Sequence, residues 1–319
     1  MQKILITGIT GFVASYFMAY LNEIHGNVKV IGIGREKDFN GNSFNNIAFE
    51  YEQADLNNRL RVQDILANHR PDYVLHLASD SSVSYSWKYP IDGFQNNTNI
   101  FLNLIESIRI LQLNCRILSV GSSEEYGIVD ASQLPLNEEA PLNPISPYAV
   151  ARVSQELLSK VYANGYDLDI VMTRSFNHIG AGQKDNFVIS SFAKQVIQKK
   201  ASVIGEIKTG DLSIIRDFLD VRDVVRAYYI LLKEGKKGEI YNICSGKGNK
   251  LGTLLEIMCH KQGIEYTSQT SSHNLRPSDN PMIVGDNTKI TSQTSWQPIY
   301  QLQESIVDIL DYWQQKILP

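Results

Sequence analysis

Lys3-Ile4-Leu5-Ile6-Thr7-Gly8-Ile9-Thr10-Gly11-Phe12-Val13-Ala14 opens the chain and decides its fold. An apolar run cut off by a glycine predicts a strand buried on both faces. The periodicity beyond it predicts a helix ending near His25-Gly26. Strand, glycine turn and helix in this order form a phosphate cradle. Gly8 permits the tight turn, Gly11 lets backbone approach a pyrophosphate, and Ala14 lets the helix pack closely on the strand. The helix N-terminus then faces the negative charge. The stretch predicts a dinucleotide site in which Gly8, Thr10, Gly11, Phe12 and Val13 surround the cofactor.

Outward from this turn, strand-like and helix-like segments alternate. Val28-Lys29-Val30-Ile31-Gly32-Ile33 reads as a second strand, and it ends in Gly34-Arg35, where an acid often holds the adenosine ribose of NAD. No acid stands at those two positions. Arg35 suits a 2'-phosphate, which favours NADP, or stacks on adenine and tolerates either form. In Phe49-Glu50-Tyr51-Glu52-Gln53-Ala54-Asp55-Leu56, Asp55 is placed to accept a hydrogen bond from the adenine amine, with Leu56 beside it. Tyr73-Val74-Leu75-His76-Leu77-Ala78-Ser79 predicts a buried strand whose end, at Leu77 and Ala78, borders the cofactor. A helix from about Asn97 to Leu113 and a strand from Arg116 to Val120 continue the alternation, so the fold class is α/β with a doubly wound parallel sheet.

The composition fits a medium-sized enzyme. The 319 residues carry a net charge of -4, with cations dispersed rather than clustered, which argues against nucleic-acid binding. No apolar stretch reaches membrane-spanning length and the chain starts on its first strand, so neither a membrane span nor a leader is expected and a cytosolic location is. Cys115, Cys244 and Cys259 lack metal-ligand spacing and read as buried thiols in a reducing compartment; no metal is expected. His69, His260 and His273 lie in ordinary settings.

A second constellation carries the chemistry. Ser146-Pro147-Tyr148-Ala149-Val150-Ala151-Arg152 predicts a helix starting near Pro147, with Tyr148 and Arg152 stacked on one face. A phenol beside a permanent cation ionises more easily, which suits a group that moves a proton to or from a substrate hydroxyl. Upstream, Gly121-Ser122-Ser123-Glu124-Glu125-Tyr126-Gly127 places Ser122 at the end of an apolar run.

With these segments in hand, the chain resembles the extended short-chain dehydrogenase/reductases that modify nucleotide-linked sugars. Thr7-Gly8-x-x-Gly11-Phe12-Val13 matches the family's cofactor turn, Ser-Ser-Glu-Glu-Tyr-Gly its active-site strand, and Ser146-Pro147-Tyr148-Ala149-Val150-Ala151 its tyrosine helix. Thr173-Arg174-Ser175-Phe176-Asn177-His178-Ile179-Gly180, Arg216-Asp217-Phe218-Leu219-Asp220-Val221-Arg222-Asp223, Tyr241-Asn242-Ile243-Cys244-Ser245-Gly246 and Leu275-Arg276-Pro277-Ser278-Asp279 are similar to the branch of GDP-mannose 4,6-dehydratases and GDP-4-keto-6-deoxymannose reductases. GDP-D-glycero-D-manno-heptose 4-dehydrogenases resemble it as well.

The resemblance implies a Rossmann-type domain over residues 1–173, completed by about 214–245. The smaller nucleotide-sugar-binding region would be residues 174–213 and 246–319. It implies Tyr148 as general acid/base, Ser122 as the hydrogen bond to the sugar O4, and Asn97 in a water-linked proton path, although an asparagine there also reads as a helix cap. Where the family has lysine this chain has Arg152, which keeps the charge but forces the cofactor ribose contact to be rearranged. Ser82, Ser123, Asn177, Val188, Lys194, Arg216 and Arg276 are expected around the substrate, the two arginines on its diphosphate.

Glu124 leaves two reactions open: simple redox at carbon 4, to which the reading leans, and 4,6-dehydration with Glu124 as base at carbon 5. A scaffold that keeps the cofactor without the chemistry is a third reading. The expected cofactor is NAD(H), with NADP(H) not excluded, and the expected assembly a homodimer or homotetramer.

Overall fold

A computed structural model of the chain describes residues 1–24, 27–37, 39, 44–271 and 280–318. Along the first half run β1 (Gln2–Thr7), α1 (Phe12–Glu23), β2 (Val28–Gly34), β3 (Ala48–Gln53), α2 (Arg59–His69), β4 (Tyr73–His76), α3 (Val83–Lys88), α4 (Pro90–Ile110), β5 (Arg116–Ser122), α5 (Pro147–Gly165) and β6 (Asp169–Ser175). The second half has β7 (Asn177–Ile179), α6 (Val188–Lys200), β8 (Ile207–Thr209), β9 (Ile215–Asp220), α7 (Val221–Glu234), β10 (Ile240–Ile243) and β11 (Gly248–Lys250). It closes with α8 (Leu251–Gln262), β12 (Ser268–Thr270), β13 (Met282–Ile283), α9 (Thr288–Gln293) and α10 (Leu302–Ile317).

Seven strands form one sheet in the order β10-β6-β5-β4-β1-β2-β3, and every neighbouring pair is parallel. This is the doubly wound order. Strand succession reverses between β1 and β4, and a ligand crevice opens outside the strand carboxyl ends at such a switch. Side chains alternate across the sheet: Ile4 and Ile6 join a core with Phe17 of α1 and Val224 and Leu231 of α7, while Leu5 packs with Ile65 of α2 and Ile100 and Leu104 of α4 on the other face. A separate core holds Phe192 of α6, Leu255 of α8 and Ile309 of α10, against a small sheet in which β9 pairs with β11, β13 and β7. Among the described residues no helix is long and apolar enough to cross a membrane.

Two expectations need adjustment. Asn97 was predicted near a helix start, but α4 begins at Pro90, so Asn97 lies inside it and is not its cap. The first turns of α4 escape the amphipathic pattern because Ile91 and Phe94 are solvent-exposed. Of the segment 214–245, α7 lies on the large sheet and β10 is its edge strand, but β9 belongs to the small sheet. The end of the first helix at His25-Gly26, the Arg276 motif and His273 lie outside the described residues.

Candidate active site

At the switch point, Gly8 has φ +71°, and a Cβ there would sit 2.9 Å from the Ala78 backbone, so only glycine lets the turn pass this close to the end of β4. Thr7 closes the same corner. Its Oγ1 accepts from Leu77 N and Ala78 N, both at 3.2 Å, and lies 2.9 Å from His76 Nδ1. Burial holds His76 neutral, down to about 3. Gly11 is the N-cap of α1 and no side chain caps that end, so the first N–H groups of the helix remain available to an anion; Thr10 and Gly11 are exposed. The cradle fits a pyrophosphate, and Phe12 and Val13 start the helix where the sequence placed them.

The residues expected at the adenosine end lie just after β2 and β3. Asp55 accepts from Asn57 N at 2.9 Å and from Asn57 Nδ2 at 3.2 Å, and Leu56 is buried beside it. Arg35 is exposed, and its carbonyl accepts from Gln53 Nε2 at 3.1 Å. A Cβ on Gly34 would stand 3.1 Å from Glu36 Oε2. An acid, Glu36, therefore lies beside the end of β2, one residue beyond the two positions where the sequence pattern looks for it.

The chemistry end is organised by α5. Ser146 caps it by accepting from Ala149 N at 3.1 Å, and Pro147 sits at its start. One turn apart on its buried face stand Tyr148 and Arg152, and Arg152 Nε donates to Tyr148 Oη at 3.1 Å. Because the phenol oxygen accepts here, its own hydrogen stays available to another acceptor. Arg152 Nη1 also donates to Val120 O at 3.0 Å, which ties the helix to β5 two residues before Ser122. Its Nη2 donates to Ser79 Oγ at 2.5 Å, just past β4. Tyr148 and Arg152 thus come to the β4 and β5 ends, the end on which Ser122 lies. Tyr228 of α7, hydrogen-bonded to Ser175 at 2.7 Å, is pushed upward by burial.

Ser122 closes β5 and caps a short 3-10 turn, its Oγ accepting from Glu124 N at 3.3 Å. Ser123 is buried within that turn. Beneath it, Glu125 is fully buried and its Oε1 accepts from Ser122 N at 2.6 Å. Burial first, and then the neighbouring Glu156, push the Glu125 carboxyl up to about 8. Burial would raise Glu156 too, but bonds from Arg174 at 2.8 and 3.0 Å and from Lys160 at 2.9 Å hold it below its ordinary value.

The sign follows from linkage. An acid whose folded value lies above its unfolded 4.5 costs stability increasingly as pH rises from there toward about 8. A Glu125→Gln variant keeps an acceptor for Ser122 N and never ionises. Its melting temperature is expected to match wild type near pH 5 and exceed it by several degrees near pH 8, at about 1.5 °C per kcal/mol for a chain of this length. Melting curves running parallel from pH 5 to 8.5 would disprove it.

Around the expected substrate side, Asn177 opens β7 and Val188 begins α6. Lys194 pairs with Asp185 at 2.6 Å and lies 5.4 Å from the Trp313 ring centroid. Arg216 is buried, with Nη1 donating to Ile215 O at 3.0 Å and Asn280 O at 2.6 Å. Ser82 caps α3 by accepting from Tyr85 N at 3.2 Å. Asn97 Oδ1 accepts from Asp80 N at 2.8 Å and its Nδ2 donates to Asp80 O at 3.1 Å, pinning the loop after β4 beside the site.

Asp217 explains why two of the quoted motifs occur together. It is fully buried and accepts from Ser245 N (2.8 Å), Ser245 Oγ (2.6 Å), Gly246 N (2.9 Å) and Gly285 N (3.3 Å). Asp220 caps α7, and Asp223 accepts from Ile299 N and Tyr300 N, both at 2.9 Å. The carboxylates of this motif are anchors of the second core.

A dinucleotide turn at the switch point, a serine ending β5 and a tyrosine–cation pair one helical turn apart define an enzyme of the extended short-chain dehydrogenase/reductase superfamily, whose members use NAD(P)(H). The family model described as GDP-mannose 4,6 dehydratase matches residues 5–309, and the chain belongs to that family. It is 30% identical over 317 residues to the GDP-6-deoxy-D-mannose reductase of Pseudomonas aeruginosa, covering 99% of this chain and 98% of that protein. The GDP-6-deoxy-D-talose 4-dehydrogenase of Aggregatibacter actinomycetemcomitans is 27% identical over 290 residues, covering 91% of this chain and 90% of that protein. Among solved structures, RMD from Pseudomonas aeruginosa complexed with NADPH superposes with a TM-score of 0.86 at 29% identity, covering 99% of this chain and 100% of that one. The UDP-glucose 4-epimerase of Thermotoga maritima with UDP-glucose gives a TM-score of 0.87 at 25% identity, covering 99% of this chain and 100% of that one.

Proposed function

We propose that this chain is an NAD(P)-dependent oxidoreductase that interconverts alcohol and ketone at carbon 4 of a GDP-linked manno-configured sugar. The observation that carries the reading is the Arg152–Tyr148 contact, anchored through Val120 to the strand that ends in Ser122. The bound NAD(P)(H) would supply or accept the hydride. Tyr148 takes the O4 proton in oxidation and returns it in reduction, Arg152 compensates the phenolate charge, and Ser122 holds the sugar oxygen by a hydrogen bond.

Both names among the GDP-sugar relatives support carbon 4 redox on GDP-6-deoxyhexoses, and a GDP-manno-heptose remains within the same chemistry. A role in capsule or surface polysaccharide precursor synthesis, in the cytoplasm, follows from that substrate class. The segments 174–213 and 246–319 form the nucleotide-sugar-binding region in this reading, with Asn177, Lys194, Arg216 and Arg276 toward the GDP half. An Arg276→Ala variant is expected to raise the KM for the GDP-sugar while leaving cofactor affinity near wild type, read by steady-state kinetics. Loss of both affinities, or of neither, counts against the assignment.

NAD(H) is the form we favour, on the resemblance to the heptose dehydrogenases and with the acid Glu36 beside Gly34; Arg35 next to it suits NADP(H). Denaturing the purified protein and identifying the released nucleotide decides between them. Incubation with GDP-mannose and GDP-manno-heptose, followed by mass spectrometry and absorbance at the nicotinamide band, tests the reaction. The expected product differs from substrate by two hydrogens. A product that has lost water establishes instead the second reading, 4,6-dehydration with Glu124 as base, which its place two residues after Ser122 favours.

Val150, Leu157 and Val161 form an exposed apolar stripe on α5, and Ile91 and Phe94 are exposed on α4, which packs against it. These faces support a homodimer or homotetramer built on the two helices, and light scattering of the purified chain measures it.

A further inference from the structure

We propose that Gln155 is a positioning residue that makes arginine workable at position 152, aiming one guanidinium edge at Tyr148 while leaving its charge unquenched. The inference rests on the proposed role of Tyr148 and concerns what this chain does to accommodate Arg152.

Gln155 lies three residues after Arg152 on the buried face of α5, is 1% exposed, and accepts from Arg152 Nη1 at 2.7 Å. Its amide orientation is dictated by its neighbours. Arginine only donates, so Oε1 must face Nη1; Nε2 then donates to Val120 O at 3.0 Å and to Ser119 Oγ at 2.9 Å. Ser159 completes the frame, its Oγ lying 3.0 Å from Ser119 Oγ and 2.8 Å from Gln155 O. A polar ring closed on itself inside the helix–sheet interface therefore fixes the amide, and the amide fixes the guanidinium plane.

A planar fork needs this more than an ammonium does. Lysine presents three rotating donors on a flexible stem and finds a phenol oxygen from many directions, whereas Nε meets Tyr148 Oη only if the plane is held. Nη1 is held by Val120 O and Gln155, and Nη2 by Ser79 Oγ. That leaves one Nη2 hydrogen, beside Ser79 and the end of β4, as the donor for the cofactor ribose, in place of the lysine ammonium.

Gln155 is also neutral. Among the described residues no carboxylate pairs with Arg152; Tyr148 on its own helix, His76 of β4, which stays neutral, and Tyr228 of α7 lie within its field. The full positive charge is left for the phenolate.

Two variants in full-length protein separate aim from charge. Gln155→Met keeps the length and removes the amide. It is expected to lower kcat roughly 10- to 100-fold, the scale of a small misplacement, with little change in substrate KM, and to cost much less in an Arg152→Lys background. Gln155→Glu keeps an acceptor for Nη1 but pairs the charge, and is expected to move the acid limb of kcat/KM in the oxidation direction to higher pH. Should the Met variant not fold, the Glu variant carries the test.

A wild-type pH profile in the Glu variant, or an equal loss from Gln155→Met in the arginine and lysine backgrounds, overturns the inference and makes Gln155 a packing residue only. Failure of the underlying reading looks different: Tyr148→Phe would then be fully active. An inactive Tyr148→Phe with normal Gln155 variants sinks the positioning role alone.

Discussion

Replacing Tyr148 by Phe is expected to lower kcat between about 10²- and 10⁴-fold, the span associated with losing a general acid/base, while cofactor affinity and melting temperature stay near wild type. The ring is retained in the substitution, and with it the packing of a buried side chain and the face that lies 5.2 Å from the Arg152 guanidinium carbon. Only the phenol oxygen goes. Arg152 loses one acceptor, at 3.1 Å, and keeps Val120 O, Gln155 Oε1 and Ser79 Oγ, so the cation stays in place next to an empty proton position. The measurement is kcat with a turned-over GDP-sugar beside a fluorescence titration of the reduced cofactor. Undiminished turnover with the cofactor bound removes Tyr148 as proton carrier and with it the proposed mechanism.

The largest structural effect is expected from Gly127→Ala. Gly127 ends the turn that begins at Ser122, with φ +63° and ψ -144°, a region open essentially to glycine alone. A Cβ there would lie 1.5 Å from the carbonyl oxygen of Asn143, and the backbone has no room to retreat. On one side Asn143 N donates to Glu125 O at 3.1 Å; on the other, Asn280 Nδ2 donates to Gly127 O at 2.5 Å. Strain and overlap together place the variant in the range above about 4 kcal/mol, where a single substitution costs a large part of a domain's stability. Insoluble expression or a melting temperature far below wild type is the expected result. Gly165→Ala is the control: Gly165 ends α5 with nothing within 4 Å of its Cβ position, and the change is expected to be neutral or to stabilise by roughly 0.5–1 kcal/mol. A Gly127→Ala protein that melts with wild type would show that the turn does not have this shape.

The anchors differ in kind from the groups proposed to carry the chemistry. Ser122 ends β5, and Tyr148 and Arg152 lie on the buried face of the first two turns of α5. Glu125, Asp217, Asp220 and Asp223 are carboxylates, all within a few percent of complete burial, and each accepts bonds from donors distant in sequence or at a helix start. The acidic residues of this second group hold the scaffold that faces the crevice, and these carboxylates are better read as joints than as contacts with substrate.

What the sequence by itself determined was local. The parallel sheet was legible because β1, β2 and β4 are short continuous apolar runs, a pattern that only burial on both faces requires, and the cofactor turn because its glycines and the following helix lie within a dozen residues. The Tyr148–Arg152 pair was legible because helical spacing puts residues four apart on one face.

Tertiary structure alone decided the rest. Residues 217–220 become strand because β7 and β11 offer them backbone partners. Ser79 grips Arg152 from 73 positions away, and Gln155 is oriented by Ser119 and Val120 of β5. Periodicity reports which face of an element is buried; it carries no information on which distant donor or acceptor will meet a buried polar group there, because that depends on how the layers are stacked.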